Sequence, residues 1–155
     1  VFESRLCATL QNFSPARPIF IEAESNKIGQ IHVPSALWAS MRQASRVSLT
    51  APIDARIGFL QRDYRHIIEQ PQHLVKLLQG LRQRYSTATF DLWESTIKAG
   101  DWRGFVHNLL ETHYDPAYAR PSASRPLVEI QTLRATTLDD DDIGRLAKAL
   151  GALDR

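Results

Sequence analysis

The residues best equipped for chemistry lie together in Ile19-Phe20-Ile21-Glu22-Ala23-Glu24-Ser25-Asn26-Lys27-Ile28-Gly29. A short apolar run leads into two carboxylates and a hydroxyl, then into a polar turn closed by Gly29. Runs of this kind bounded by turn signals read as strands, and α/β proteins bind ligands outside the carboxyl ends of their strands. Glu22 and Glu24 therefore stand where acids can serve a ligand site. They stand equally well at the solvated end of an edge strand, and the segment alone leaves both readings open.

Arg56 is the second candidate, in the opening turn of the helix that follows the apolar run Val47–Leu49. A cation there opposes the helix macrodipole at a cost of roughly 0.3–1 kcal/mol. A compensating anion is expected beside it, either Glu22 or Glu24 or a bound phosphate, unless Arg56 is simply a surface charge. Parallel strands at 19–22 and 47–49 would bring both candidates to one sheet edge. Arg62, Arg65, Arg82 and Arg84, with His66, are candidates for a basic face toward RNA phosphates; a solvated helix face is the alternative.

Other constellations point away from chemistry. The run Asp139–Asp142 cannot converge on one ion, whereas acids in a first helical turn favour the dipole. Cys7 lies beside an apolar helical stripe and reads as a small core residue. No phosphate loop of the Gly-x-x-x-x-Gly-Lys-Ser/Thr type, no Cys-x-x-Cys pair and no His-Glu-x-x-His occurs. His113 and Asp115 have no nucleophile elbow to go with them. The residues assign no catalytic group.

The elements that must position these candidates alternate. Phe2, Leu6, Leu10 and Phe13 predict a helix over 2–13. Strands are expected near 19–22, 46–50 and 127–132. Pro34 and Pro52 each open a helix, the second carrying Ile53, Ile57, Leu60, Tyr64 and Ile67 on one stripe. A helical block follows over 71–114, with Gly100 ending one helix and Asp101 capping the next. Residues 115–126 read as a loop, and Asp139–Leu153 as a final helix. The expected fold class is α/β, a partial parallel sheet with a helical C-terminal block. Strand-helix units fill 1–70, the helical block 71–120, and a final strand and helix 121–155.

At 155 residues, 43% hydrophobic and 23% charged, the chain is one globular domain's worth of sequence. No apolar run approaches the roughly 20 residues of a membrane span, and no signal peptide is visible, so a cytoplasmic location is expected. The single cysteine excludes an internal disulfide. The net charge of +2 is too small to argue for nucleic acid by itself. Among the 19 basic residues only Lys27, Lys76, Lys98 and Lys148 are lysines; guanidinium forks suit phosphate and carboxylate recognition, though the bias also arises from genome composition. A chain beginning at Val1 is expected to be a fragment or a processed product.

The segment Glu22-Ala23-Glu24-Ser25-Asn26-Lys27-Ile28-Gly29 with Ile31-His32-Val33-Pro34 resembles the Glu-x-Glu-Ser-x-x-Ile-Gly…Pro signature of tRNA 2-selenouridine synthases. Phe2-Glu3 with Leu6, Met41, Pro52 with Arg56 and Tyr64, and Tyr114-Asp115-Pro116-Ala117-Tyr118 resemble further family features in the same order. The resemblance implies a P-loop NTPase type of sheet and an enzyme that converts wobble 2-thiouridine of tRNA to 2-selenouridine through a geranylated intermediate. Geranyl diphosphate and selenophosphate would be substrates and tRNA the partner. It further implies a phosphate site at Glu22, Glu24, Ser25, Lys27, Gly29 and Arg56, with Glu22 and Glu24 holding Mg²⁺ through water. The rhodanese-like domain with the family cysteine, and the phosphate loop, would precede Val1; this chain alone would then be inactive. A small-molecule kinase or NTPase fragment, or a non-catalytic RNA- or protein-binding module, are the alternative readings.

Overall fold

Leucines and aromatics recurring at helical spacing build the larger of two hydrophobic cores. The computed structural model describes residues 1–22, 25–118 and 129–153. Its helical block comprises α5 (Pro71–Leu78), a 3₁₀ segment (Gln79–Arg84), α6 (Thr87–Lys98), α7 (Trp102–Leu109) and a π-helical turn (Leu110–Tyr114). Leu78, Phe90, Trp93, Ile97 and Phe105 are buried together, and the Trp93 indole N–H donates to Asn108 Oδ1 at 2.7 Å. The α6–α7 corner is set locally. Gly100 takes φ +72°, the Asp101 N–H reaches Thr96 O at 2.9 Å and the Gly100 N–H reaches Ile97 O at 3.1 Å, the paired bonds of a Schellman ending. Asp101 then caps α7 by accepting from the Gly104 N–H at 2.9 Å. A Cβ on Gly104 would meet that carboxylate, so a larger residue there would require the Asp101 side chain to shift.

The second core lies where the sheet meets the last helix. Strand β3 (Arg46–Thr50) pairs in parallel with β4 (Glu129–Arg134), Leu49 opposite Leu133 and Thr50 opposite Arg134, with a register irregularity at Arg46/Val47. Leu133, Ala135 and Leu146 are buried there, the last from α8 (Asp140–Gly151). The acidic run is structural. Asp139 accepts from the Asp142 N–H at 2.9 Å as an N-cap. Asp142, 6% exposed, accepts from the backbone N–H groups of Thr136, Thr137 and Leu138 and pairs with Arg145. Leu138 is thereby held at φ +56°, in the left-handed region where a branched side chain is strained.

Between the cores runs α3 (Ile53–Asp63), whose Ile57 is completely buried, followed by the short α4 (Arg65–Ile68). The parallel sheet and the helices are as expected; the first strand is not. Residues 19–22 are irregular. In their place a two-residue-per-strand antiparallel hairpin, β1 (Lys27–Ile28) and β2 (Ile31–His32), precedes α2 (Ser35–Gln43). A strand requires a partner along its length, and among the described residues none lies beside Ile19–Ile21, whose side chains remain 45–50% exposed. Helix α1 (Phe2–Gln11) forms as expected but buries no residue, and Cys7 is exposed where a core position was expected. The loop expected from 115 is helical over 115–118, and residues 119–128 lie outside the described ones. Among the described residues no helix is long and apolar enough to cross a membrane.

Asp142 predicts a pH dependence. Backbone donors and Arg145 hold its carboxyl well below the ordinary range, while the unfolded chain takes up the proton near about 3.9. The charged carboxylate therefore stabilises the fold fully above that value, and the contribution drains away as pH falls below it. Asp142→Asn should lower the melting temperature by several degrees at pH 7. The gap to wild type should narrow as melts are repeated toward pH 3.

Candidate functional site

The Glu-Ser segment owes its shape to local bonds. Ser25 Oγ accepts from the Lys27 N–H at 3.0 Å, and the Val33 N–H closes back on Asn26 O at 2.8 Å. Between β1 and β2 only Gly29 and Gln30 remain for the turn, and Gly29 alone takes a positive φ, +61°. That is the pattern of a type II′ hairpin, which asks for glycine at its first central position. Glu22 and Ser25 are exposed, and Glu24 lies outside the described residues.

Arg56 occupies the first turn of α3, directly after β3. The anion found beside it is Asp115, 59 residues along the chain. The guanidinium donates through both terminal nitrogens, at 3.1 and 2.5 Å, to the two carboxylate oxygens. The pair is partly exposed, 31% for the Arg56 side chain and 44% for Asp115. A second bridge, of reversed polarity, joins α3 to α7, Arg103 donating to Asp54 at 2.6 Å. Asp115 follows the π-helical turn, and the residues before it are also engaged. His113 Nδ1 lies 2.5 Å from the Tyr85 hydroxyl and packs edge-on to Tyr114. The Tyr114 ring in turn stacks against Tyr118, both rings being substantially exposed. π-Turns inside helices recur at functional sites.

The four arginines proposed for RNA are all exposed, and three have partners within the chain. Arg62 donates to Leu138 O at 2.8 Å, Arg65 pairs with Glu69 at 3.0 Å, and Arg82 lies over the Phe90 ring, 5.2 Å from its centre. Arg84 sits at the end of the 3₁₀ segment. Among the described residues no three His, Cys, Asp or Glu side chains gather as metal ligands. Glu22 is exposed on irregular backbone, and Glu24, its proposed companion for Mg²⁺, lies outside the described residues.

Sequence reasoning missed Asp115 as the partner of Arg56. The signal available was the Tyr-Asp-Pro-x-Tyr pattern, but no local rule connects it to residue 56.

Residues 1–87 match the family described as the tRNA 2-selenouridine synthase AAA domain. The chain belongs to this family. Curated relatives named tRNA 2-selenouridine synthase include one from Psychromonas ingrahamii, 26% identical over 144 residues that cover 76% of this chain and 40% of the relative. Another, from Shewanella loihica, is 27% identical over 131 residues, 68% of this chain and 35% of the relative. A third, from Chromohalobacter salexigens, is 33% identical over 63 residues, 41% of this chain and 17% of the relative. The chain thus spans at most about 40% of the length of these tRNA 2-selenouridine synthases. No solved structure matches it. The family match contains the Glu22–Pro34 segment and Arg56, whereas Asp115 lies beyond it.

The Arg56–Asp115 pair should behave as a partly solvated bidentate bridge. A double-mutant cycle with Arg56→Lys and Asp115→Asn, read by urea unfolding, is expected to give a coupling energy of about 0.5–1 kcal/mol. A coupling near zero would mean that solvent carries both charges.

Proposed function

We propose that this chain is part of a tRNA-modifying transferase that converts wobble 2-thiouridine to 2-selenouridine through a geranylated intermediate. The observation that supports this reading is the family match, which runs through the whole Glu-Ser hairpin and Arg56. On a P-loop-type scaffold, the turn carrying Ser25, Lys27 and Gly29 lines a phosphate site with Glu22 and Glu24 at its edge. Arg56 serves the same ligand from the carboxyl end of β3.

The chemistry explains the need for cations. Alkylation of the thiouridine sulfur forms a carbon–sulfur bond to the geranyl group and breaks the carbon–oxygen bond to diphosphate, which leaves with the electron pair. Charge growing on that leaving group is stabilised by preorganised donors, and a guanidinium fork matches phosphate oxygens bidentately. The selenium of selenophosphate then attacks C2 of the base, forming a carbon–selenium bond and breaking the carbon–sulfur bond so that geranylthiol leaves, and water cleaves the selenium–phosphorus bond to release phosphate. The rhodanese-like domain with its cysteine, and the phosphate loop, belong to the rest of the full-length enzyme. Arg62, Arg65, Arg82 and Arg84 face the tRNA backbone.

Because Asp115 already occupies the Arg56 fork, geranyl diphosphate and Asp115 compete for it. In the full-length enzyme Arg56→Ala should weaken geranyl diphosphate binding about tenfold, the scale of one hydrogen bond to a charged group. Asp115→Asn should tighten binding by releasing the guanidinium. Unchanged affinity in both variants would remove Arg56 from the phosphate site. This chain alone, given thiolated tRNA, geranyl diphosphate and selenophosphate, should yield no selenouridine by nucleoside mass spectrometry. Replacing the four arginines together should weaken tRNA binding and flatten its salt dependence, by about 0.9 in log–log slope for each phosphate that the variant no longer neutralises.

A further inference from the structure

A cavity of about 520 Å³ opens between α1, the β1–β2 hairpin and α2, within the roughly 300–1,000 Å³ range of small-ligand sites. One wall is a single face of α2, where Ser35, Trp38, Ala39 and Arg42 recur at three- and four-residue spacing. Trp38 is half-buried and Arg42, one turn further on, is exposed. The hairpin contributes Asn26 and His32, and α1 contributes Glu3.

An indole beside a guanidinium and a histidine, with an amide and a carboxylate across the opening, is the combination that receives a nucleotide. The indole offers a stacking plane that every base can use, the guanidinium suits a phosphate, and Asn26 and Glu3 suit the polar edge of a base. A fully anionic ligand such as a bare diphosphate fits less well, because Glu3 repels it while leaving the aromatic surface without a role. We infer that this cavity holds one unstacked nucleotide of a single-stranded RNA segment, its base against Trp38 and its phosphate toward Arg42. The inference rests on the reading of the chain as part of a tRNA-modifying enzyme, and it gives that reading a base-contacting subsite separate from Arg56.

Fluorescence anisotropy of a labelled single-stranded pentauridylate titrated with the chain tests it. Uridine monophosphate as competitor, and a folded unmodified tRNA as a second probe, complete the set. Trp38→Ala should weaken pentauridylate binding about tenfold, Trp38→Phe should restore most of it, and Arg42→Ala should weaken it about fivefold. Arg42→Ala should also reduce the salt slope by about 0.7, the single-strand value for one phosphate left unneutralised. Lys98→Ala, whose residue pairs with Glu94 on α6, should change nothing. Thermal melts identify any variant that fails to fold; Arg42→Ala and Trp38→Phe still decide the matter if Trp38→Ala does. Uridine monophosphate displacing the probe only at concentrations far above the pentamer's indicates an RNA segment; displacement at equal concentration would overturn that and leave a free-nucleotide site. Wild-type affinity in Trp38→Ala and Arg42→Ala, with tRNA still bound, would overturn the cavity and spare the tRNA reading. Failure of the wild-type chain to bind either RNA would overturn both.

Discussion

An arginine in the first turn of a helix faces the positive end of the peptide dipoles, and the fold around α3 is arranged to answer that constraint. Asp115 supplies the charge, reached only because α7 and the π-helical turn lie against α3. Arg103 of α7 and Asp54 of α3 form a second bridge with the charges reversed, and Ile57 is fully buried in α3. Two partly solvated bridges contribute modestly to stability; burial of the isoleucine side chain contributes about 1.5–3 kcal/mol. The bridges thus add modestly to a helix contact in which the burial of Ile57 is the larger contribution.

The same logic shapes the other end of the molecule. Asp142 gathers three backbone donors from one loop, so Thr136, Thr137 and Leu138 bend around a single carboxylate. The strained backbone of Leu138 is tolerated because its N–H is bound there, its carbonyl accepts from Arg62, and its side chain packs on the core of β4 and α8. One consequence reaches the proposed RNA face. Arg62 is not a freely swinging surface cation but a donor to this loop, so phosphate binding at Arg62 and the geometry of the loop are linked.

The first third of the chain is ordered by local bonds and contributes little to either core. α1 buries no side chain, and Phe13, Phe20, Ile28 and Ile31 stay exposed. What this region does possess is a cavity with an aromatic wall, beside a hairpin whose turn requires Gly29. The family match over residues 1–87 takes in this loosely packed region together with β3, α3 and α5, which do reach the buried parts of the fold.

The sequence by itself determined whatever depends on near neighbours. Helical stripes located α5, α6 and α7; Gly100 and Asp101 marked a helix end and a helix start; the acidic run Asp139–Asp142 was readable as the opening turn of the last helix. Each is governed by backbone geometry and bonds spanning a few residues, which the local residue types dictate. Only the tertiary structure decided the rest. Ile19-Phe20-Ile21 has strand-forming residues yet is not a strand, because propensity cannot supply the neighbour that accepts its hydrogen bonds. Cys7 adjoins an apolar stripe yet is exposed, because α1 packs on no core. β3 pairs with β4 across the whole helical block, and Arg56 finds an acid 59 residues away. Those pairings are chosen by which surfaces the packed helices bring together, a choice that no window of sequence contains.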